Sequence, residues 1–248
     1  MMNTIGRTSC FITPRANAKM KKTFGILLLL LAALAGRASS TNQVFSTGTV
    51  NLAVPVNNPS GLTSTLDVSG MSGNTASLTV NLDITGGFNG NLYAYLVSPT
   101  STTVFLLNRV GVGSGNPYGY GNTGFYITLD SASGNNIHNY QMSAGYPGDL
   151  NGGGQLTGIW APDGRTILPN SDPSAFDAAP TGNTLTSLDG VDPNGAWTLF
   201  IADLAPGGGQ STVVNWGLTV MTVPEPQTWT LLGGSLAAFW LINRKRRK

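Results

Sequence analysis

From Val44 to Thr222 the chain alternates apolar and polar residues with a period of two. Leu78, Val80, Leu82 and Ile84 are interleaved with Ser77, Thr79, Asn81 and Asp83, the pattern of a strand with one buried face. Asn91 to Val97, Thr102 to Leu107, Phe125 to Leu129, Trp197 to Ile201 and Val213 to Val220 read the same way. Gly-Gly-Phe-Asn-Gly, Ser-Pro-Thr-Ser and Pro-Gly-Gly-Gly separate them, all turn chemistry. No window in this region carries a helical stripe. The pattern therefore predicts an all-β domain over residues 44–222, a sandwich or barrel of short strands. Trp197 and Trp216 fall in register with Leu199, Ile201, Leu218 and Val220, so both are expected in the core.

Two apolar runs lie outside this region. Lys19, Lys21 and Lys22 precede Phe24 to Leu34, and the small residues Ala32 to Gly36 close the run. That is the order of a secretory signal, a basic segment followed by an apolar helix and a small-residue cleavage site. Ala33-Leu34-Ala35 fits the cleavage rule, with cleavage after Ala38 as the alternative, and Met20 is a plausible start beside Met1. Residues 1–38 are thus expected to be an extension and signal helix.

At the other end, Val223-Pro224-Glu225-Pro226 leads into the apolar stretch Thr228 to Ile242 and the basic cluster Arg244 to Lys248. As a helix that stretch spans about 22 Å, against a hydrocarbon core of about 30 Å, so snorkelling cations must supply part of the reach. The basic ends place both termini on the cytoplasmic side and everything between them outside. The combination of Pro224, Glu225 and Pro226, a short apolar helix and a terminal Arg/Lys cluster resembles the PEP-CTERM sorting signal. That resemblance covers residues 223–248. It implies a transmembrane sorting helix, transient anchoring in the inner membrane and recognition by an exosortase-like enzyme after passage through the secretion machinery. The mature protein would then reside in the cell envelope or outside the cell.

Charge sharpens this picture. Between Ser39 and Val223 the only cations are Arg109 and Arg165, against ten Asp and no Glu, so the domain carries roughly −8. Nucleic acid is disfavoured as a partner, because phosphate binding rests on Lys and Arg. Neutral glycans and divalent cations remain compatible. The single cysteine, Cys10, precedes the domain, which must therefore hold together without a disulfide.

Asp192-Pro-Asn-Gly195-Ala-Trp197-Thr-Leu199-Phe-Ile201-Ala-Asp203, followed by Asn215-Trp216-Gly-Leu218-Thr-Val220, resembles the C-terminal half of the P domain (P/Homo B) of proprotein convertases. Gly87-Phe-Asn-Gly-Asn-Leu92, Tyr93 to Pro99 and Val104 to Arg109 fit its earlier half. The resemblance covers about residues 50–222 and implies a jelly-roll-like β-sandwich. Asn91 departs from it, since the family often carries Asp there, and the segment from Gly111 to Asn170 is unusually rich in Gly and Asn. In convertases this domain follows a protease; here it leaves no length for one.

Candidate chemistry is sparse. Gly119-Tyr-Gly121-Asn-Thr-Gly124 has the spacing of a dinucleotide fingerprint, but the strand Phe125 to Leu129 follows it where a helix would be needed. His138, the only histidine, sits in a loop-like setting and reads as a surface residue, and no G-x-S-x-G elbow accompanies it. Zinc chemistry lacks ligands. A hydrolase using paired Asp residues on polysaccharide stays open as the alternative to a non-catalytic surface or matrix module.

Asp130, Asp189, Asp192, Asn194 and Asp203 lie at turns and strand ends, an oxygen-rich set that could hold a structural calcium or simply cap the backbone. Trp160 follows a loop and is expected to be exposed. With Tyr118 and Tyr120, and with Tyr126, Tyr140 and Tyr146, it could stack on the sugar rings of an extracellular polysaccharide.

Overall fold

The computed structural model describes residues 40–223 and 228–246. The signal segment, the cleavage sites and Pro224, Glu225 and Pro226 lie outside the described residues. Residues 39–225 form one compact unit, and the C-terminal helix belongs to a second.

The period-two pattern becomes strands in two sheets. They are β1 (Thr41–Ser46), β2 (Leu52–Ala53), β3 (Leu62–Val68), β4 (Asn74–Thr85), β5 (Leu92–Val97), β6 (Thr103–Asn108), β7 (Gly124–Leu129), β8 (Leu156–Trp160), β9 (Gly195–Asp203) and β10 (Thr212–Val223). One sheet runs β1-β10-β4-β7-β8 with β2 also on β10; the other runs β3-β9-β5-β6. Only β7 and β8 pair in parallel, and a 3-10 segment, Ile137–Met142, lies in the connection between them. The strands read from the sequence all form, within one to four residues at either end. β1, β3 and β8 were not legible, because Ser, Thr and Gly occupy so many of their positions.

The core is one cluster drawn from both sheets. The six-stranded sheet contributes Leu78, Val80, Leu82, Ile84, Phe125, Leu129, Leu218 and Val220; the four-stranded sheet contributes Leu66, Leu92, Leu96, Val104, Leu106, Leu199 and Ile201. Trp197 and Trp216 are fully enclosed, as their register predicted. Each indole N–H finds an acceptor: Trp197 Nε1 donates to Pro193 O at 2.9 Å, and Trp216 Nε1 donates to Ser64 Oγ on β3 at 2.9 Å, tying one sheet to the other.

A bulge makes the Trp216 placement possible. In β10 the register on β4 shifts between Val213 and Asn215. Strict alternation from the buried Val213 would point Trp216 to solvent; the extra residue returns it to the core and leaves Asn215 opposite Asp83. On the outside of the four-stranded sheet, Phe200, Tyr95 and Phe105 lie across three strands, with Tyr95 and Phe200 stacked at 4.6 Å.

The terminal apolar stretch forms a 19-residue helix, α1 (Thr228–Arg246), in which the Arg244 guanidinium sits 5.3 Å from the Trp240 ring centroid. The helix was expected; no described helix is long and apolar enough to cross a membrane. Thr228, Thr230, Gly233, Gly234 and Ser235 dilute its first half, and Asn243 to Arg246 place polar and basic residues in its last turn.

Trp216→Ala should lower unfolding stability by about 3–5 kcal/mol, since it removes one of the two enclosed indoles and orphans Ser64. Chemical denaturation of the purified protein measures it, and a loss under about 1 kcal/mol would show that the indole is not central to the core.

Candidate functional site

The residues that alternate with the core define the outer face of the six-stranded sheet. Asn215 on β10, Asp83 on β4, Tyr126 on β7 and Thr157 on β8 stand in one cross-strand row; Gly217, Asn81, Thr128 and Ile159 form the next. All of these but Gly217 line a shallow groove of about 640 Å³, together with Asn151. Tyr126 and Ile159 are 60% and 61% exposed. Asp83 is the only charged group in the lining.

The polar side chains are held before any ligand arrives. Asn215 Nδ2 donates to Asp83 Oδ2 at 3.1 Å, and Gln155 Nε2 donates to Asp83 Oδ1 at 3.1 Å and to Ile84 O at 2.9 Å. Thr128 Oγ1 donates to Asn81 Oδ1 at 2.8 Å, while Asn81 Nδ2 reaches Thr219 Oγ1 at 3.3 Å. The glycine run 152–154 has a structural purpose: Asn151 Oδ1 accepts from the Gly153 and Gln155 amides, and its Nδ2 donates to Gln155 Oε1, so the turn aims Gln155 at Asp83.

The residues singled out for stacking separate. Trp160 is buried, not exposed: it ends β8 pointing inward, donates to Thr157 O at 2.7 Å and packs edge-on against Tyr140. Its strand pairing with β7, invisible in the local sequence, decides that. Tyr120 is half-buried against Tyr140 at 4.7 Å, and Tyr146 flanks the same ring. Tyr140 is buried, and desolvation pushes its phenol well above the usual range. Tyr118 is 82% exposed on a loop. Only Tyr126 meets a built polar surface. Asn81, Asp83, Gln155 and Asn215 were not singled out; their signal is their place among the polar positions of β4 and β10 and beside β8.

The oxygen-rich set makes mostly local bonds. Asp130 Oδ1 accepts from Ala132 N in a turn after β7. Asp189 follows the 3-10 segment Leu185–Leu188, its carboxyl raised by burial. Asp192 accepts from the backbone and side chain of Asn194, which lowers its carboxyl. Asn194 clamps the Met71 backbone from both sides, through Oδ1 to the amide and Nδ2 to the carbonyl. Asp203 ends β9, fully buried, with Oδ1 accepting from Ala205 N and Oδ2 lacking a hydrogen bond. Among the described residues no three His, Cys, Asp or Glu side chains are grouped to hold a metal ion. Near Asp203, Asn91 donates to the Ala205 and Gly207 carbonyls at 3.2 Å each, bonds that an Asp at this position could not make.

His138 corrects the reading of a surface residue. It is 3% exposed; its Nδ1 lies 2.7 Å from Asp163 Oδ2 and its Nε2 lies 2.9 Å from Val112 O. Asp163 Oδ1 in turn accepts from Arg165 Nη1 at 3.0 Å. Phe176 covers the imidazole, rings nearly parallel at 6.1 Å. Both ring nitrogens face acceptors, so the ring is fixed from two sides. A His–Asp pair is present, but a backbone carbonyl occupies the place where a nucleophile would stand.

No family model matches the chain, and no curated protein matches it. Among solved structures, the serine protease of Aeromonas sobria in complex with its chaperone is similar at 15% identity and a TM-score of 0.43, covering 79% of this chain and 29% of that one. The same protease alone is similar at 14% identity and a TM-score of 0.41, covering 78% and 29%. The chain thus spans under a third of these neighbours' length, and at such scores the likeness carries no argument about activity.

Two outcomes follow. Asp163→Asn should cost about 3–5 kcal/mol, because it leaves His138 and Arg165 buried without their carboxylate; urea unfolding reads this. Burial holds the Asp203 carboxyl above its ordinary value, the backbone bond opposing only in part. The native state therefore keeps that proton where the unfolded chain has lost it. Asp203's contribution to stability falls as pH rises from about 3.9 through the raised value. Asp203→Asn should flatten that segment of the stability–pH curve, and an unchanged curve would show that Asp203 does not titrate there.

Proposed function

We propose that this chain is an exported, non-catalytic binding module of the jelly-roll type, whose working surface is the Tyr126 groove. The observation that carries the reading is the contrast between one open, preorganised face and a closed His–Asp pair. His138 is sealed between Asp163 and Val112 O. The groove offers one carboxylate, already engaged by Asn215 and Gln155, where acid–base cleavage of a glycosidic bond needs two. A strand order of β1-β10-β4-β7 in one sheet and β3-β9-β5-β6 in the other supports the jelly-roll arrangement that the P-domain resemblance implies.

Export and sorting rest on the sequence. The leader would deliver the domain outside, and the Pro224-Glu225-Pro226 tail would be cut by an exosortase-like enzyme, leaving the module in the envelope or the extracellular polymer layer. α1 would engage the membrane only transiently, with its basic turn at the cytoplasmic surface.

The purified protein should turn over neither peptide nor polysaccharide substrates. Hydrolysis abolished by His138→Ala or by Asp83→Asn would overturn the non-catalytic reading and name the residue responsible. In a host with the sorting enzyme, mass spectrometry should find the mature protein without Lys19 to Lys22 and without the terminal Arg/Lys cluster.

A further inference from the structure

We infer that the Tyr126 groove binds a neutral polysaccharide, whose sugar rings stack on Tyr126 and Ile159 while their hydroxyls meet the amides of Asn81, Asn151 and Asn215. This rests on the binding-module reading and names its ligand class.

The chemistry of the lining selects the occupant. Tyr126 and Ile159 lie on the adjacent strands β7 and β8, offset by two residues, with Gly158 between their rows adding no side chain. They form an exposed apolar floor. Around it stand amides and hydroxyls, with Asp83 as an acceptor. A ligand that fits both must be apolar on its faces and rich in hydroxyls at its edges, which describes a pyranose. An aliphatic ligand would strip water from Asp83 and the amides without replacing its hydrogen bonds. An anionic polymer would meet Asp83 and no cation, on a domain of roughly −8. Single-stranded nucleic acid would find one ring to stack on but no Lys or Arg for its phosphates.

Preorganisation strengthens the case. Asp83 is fixed from two sides and Asn81 is fixed between Thr128 and Thr219, so little side-chain freedom is lost on binding. Tyr126 Oη has no partner among the described residues and is free for a sugar hydroxyl. The volume of about 640 Å³ lies in the range of roughly 300–1,000 Å³ usual for small-ligand sites, and the lining runs across β10, β4, β7 and β8.

The test is affinity electrophoresis of the purified full chain in native gels containing dextran, laminarin, xylan or galactomannan, with alginate and polygalacturonate as anionic counterparts. At least one neutral polymer should retard the protein and neither anionic one should. Tyr126→Ala should weaken the apparent affinity at least tenfold, Tyr126→Phe only a few-fold, and Tyr118→Ala not at all. Tyr126 points to solvent, so the variants should melt with the parent; if Tyr126→Ala does not, Asn215→Ala supplies the same comparison. Retardation by an anionic polymer alone, by none, or undiminished in Tyr126→Ala and Asn215→Ala overturns the inference. A protein that runs freely in every gel and hydrolyses nothing overturns this ligand class but leaves the non-catalytic reading. Cleavage of the retarding polymer, lost in Asp83→Asn, does the reverse.

Discussion

The pairing of β10 with β4, and the bulge at Val214 within it, is the constraint on which the rest depends. These are the two longest strands, 12 residues each, and they lie side by side near the middle of the six-stranded sheet. Because side chains alternate, a slip of one residue would exchange the two faces of β10. The irregularity at Val214 allows Val213 and Trp216 both to enter the core and Asn215 to leave it. Core and groove are therefore set by one backbone feature. The same displacement that buries the indole against Ser64 delivers an amide to Asp83.

Without disulfides, the long connections are fastened by buried polar groups instead. Asn89 brackets Gly124, accepting from its amide at 2.7 Å and donating to its carbonyl at 3.1 Å. Asn108 holds the Arg165 and Ile167 carbonyls at 3.1 and 2.9 Å, and Asn91 holds Ala205 and Gly207. Each clamp is a side-chain amide donating to backbone carbonyls in or next to a connecting segment. His138, Asp163 and Arg165 add a charged version of the same device, joining the segments around Val112, Ile137–Met142 and Phe176. A cation and a carboxylate are costly to bury, but each here has its partners, so the cost falls on any change that removes one of them.

This arrangement also explains why the domain's few cations do so little at its surface. Arg165 is turned inward to Asp163 and the Phe176 carbonyl; Arg109, its guanidinium lowered by desolvation, donates to Gly90 and Pro169 carbonyls. Both are consumed in fastening the connecting segments around Gly90, Pro169 and Phe176. What remains outside on the six-stranded sheet is neutral and amide-rich, apart from Asp83. That is the character the proposed ligand would meet.

Much of the fold was legible in the chain itself. Alternation places Leu78 to Ile84, Trp197 and Trp216 in the core because burial of one sheet face demands it at every second position, and the turns are marked by the Gly and Pro that permit them. The polar partners Asn81 and Asp83 were equally visible as the other half of that alternation. What the sequence could not decide was which strands would be neighbours. β8, parallel to β7 and distant from it in the chain, carries Trp160 inward and Ile159 outward; its own residues, with Gly158 at its centre, announce neither. Likewise nothing near His138 in the sequence reveals Asp163 or Val112. Local pattern is a property of spacing along one strand, so the sequence by itself determined the faces. Adjacency is a property of long-range closure, so only the tertiary structure decided which side chains meet across it.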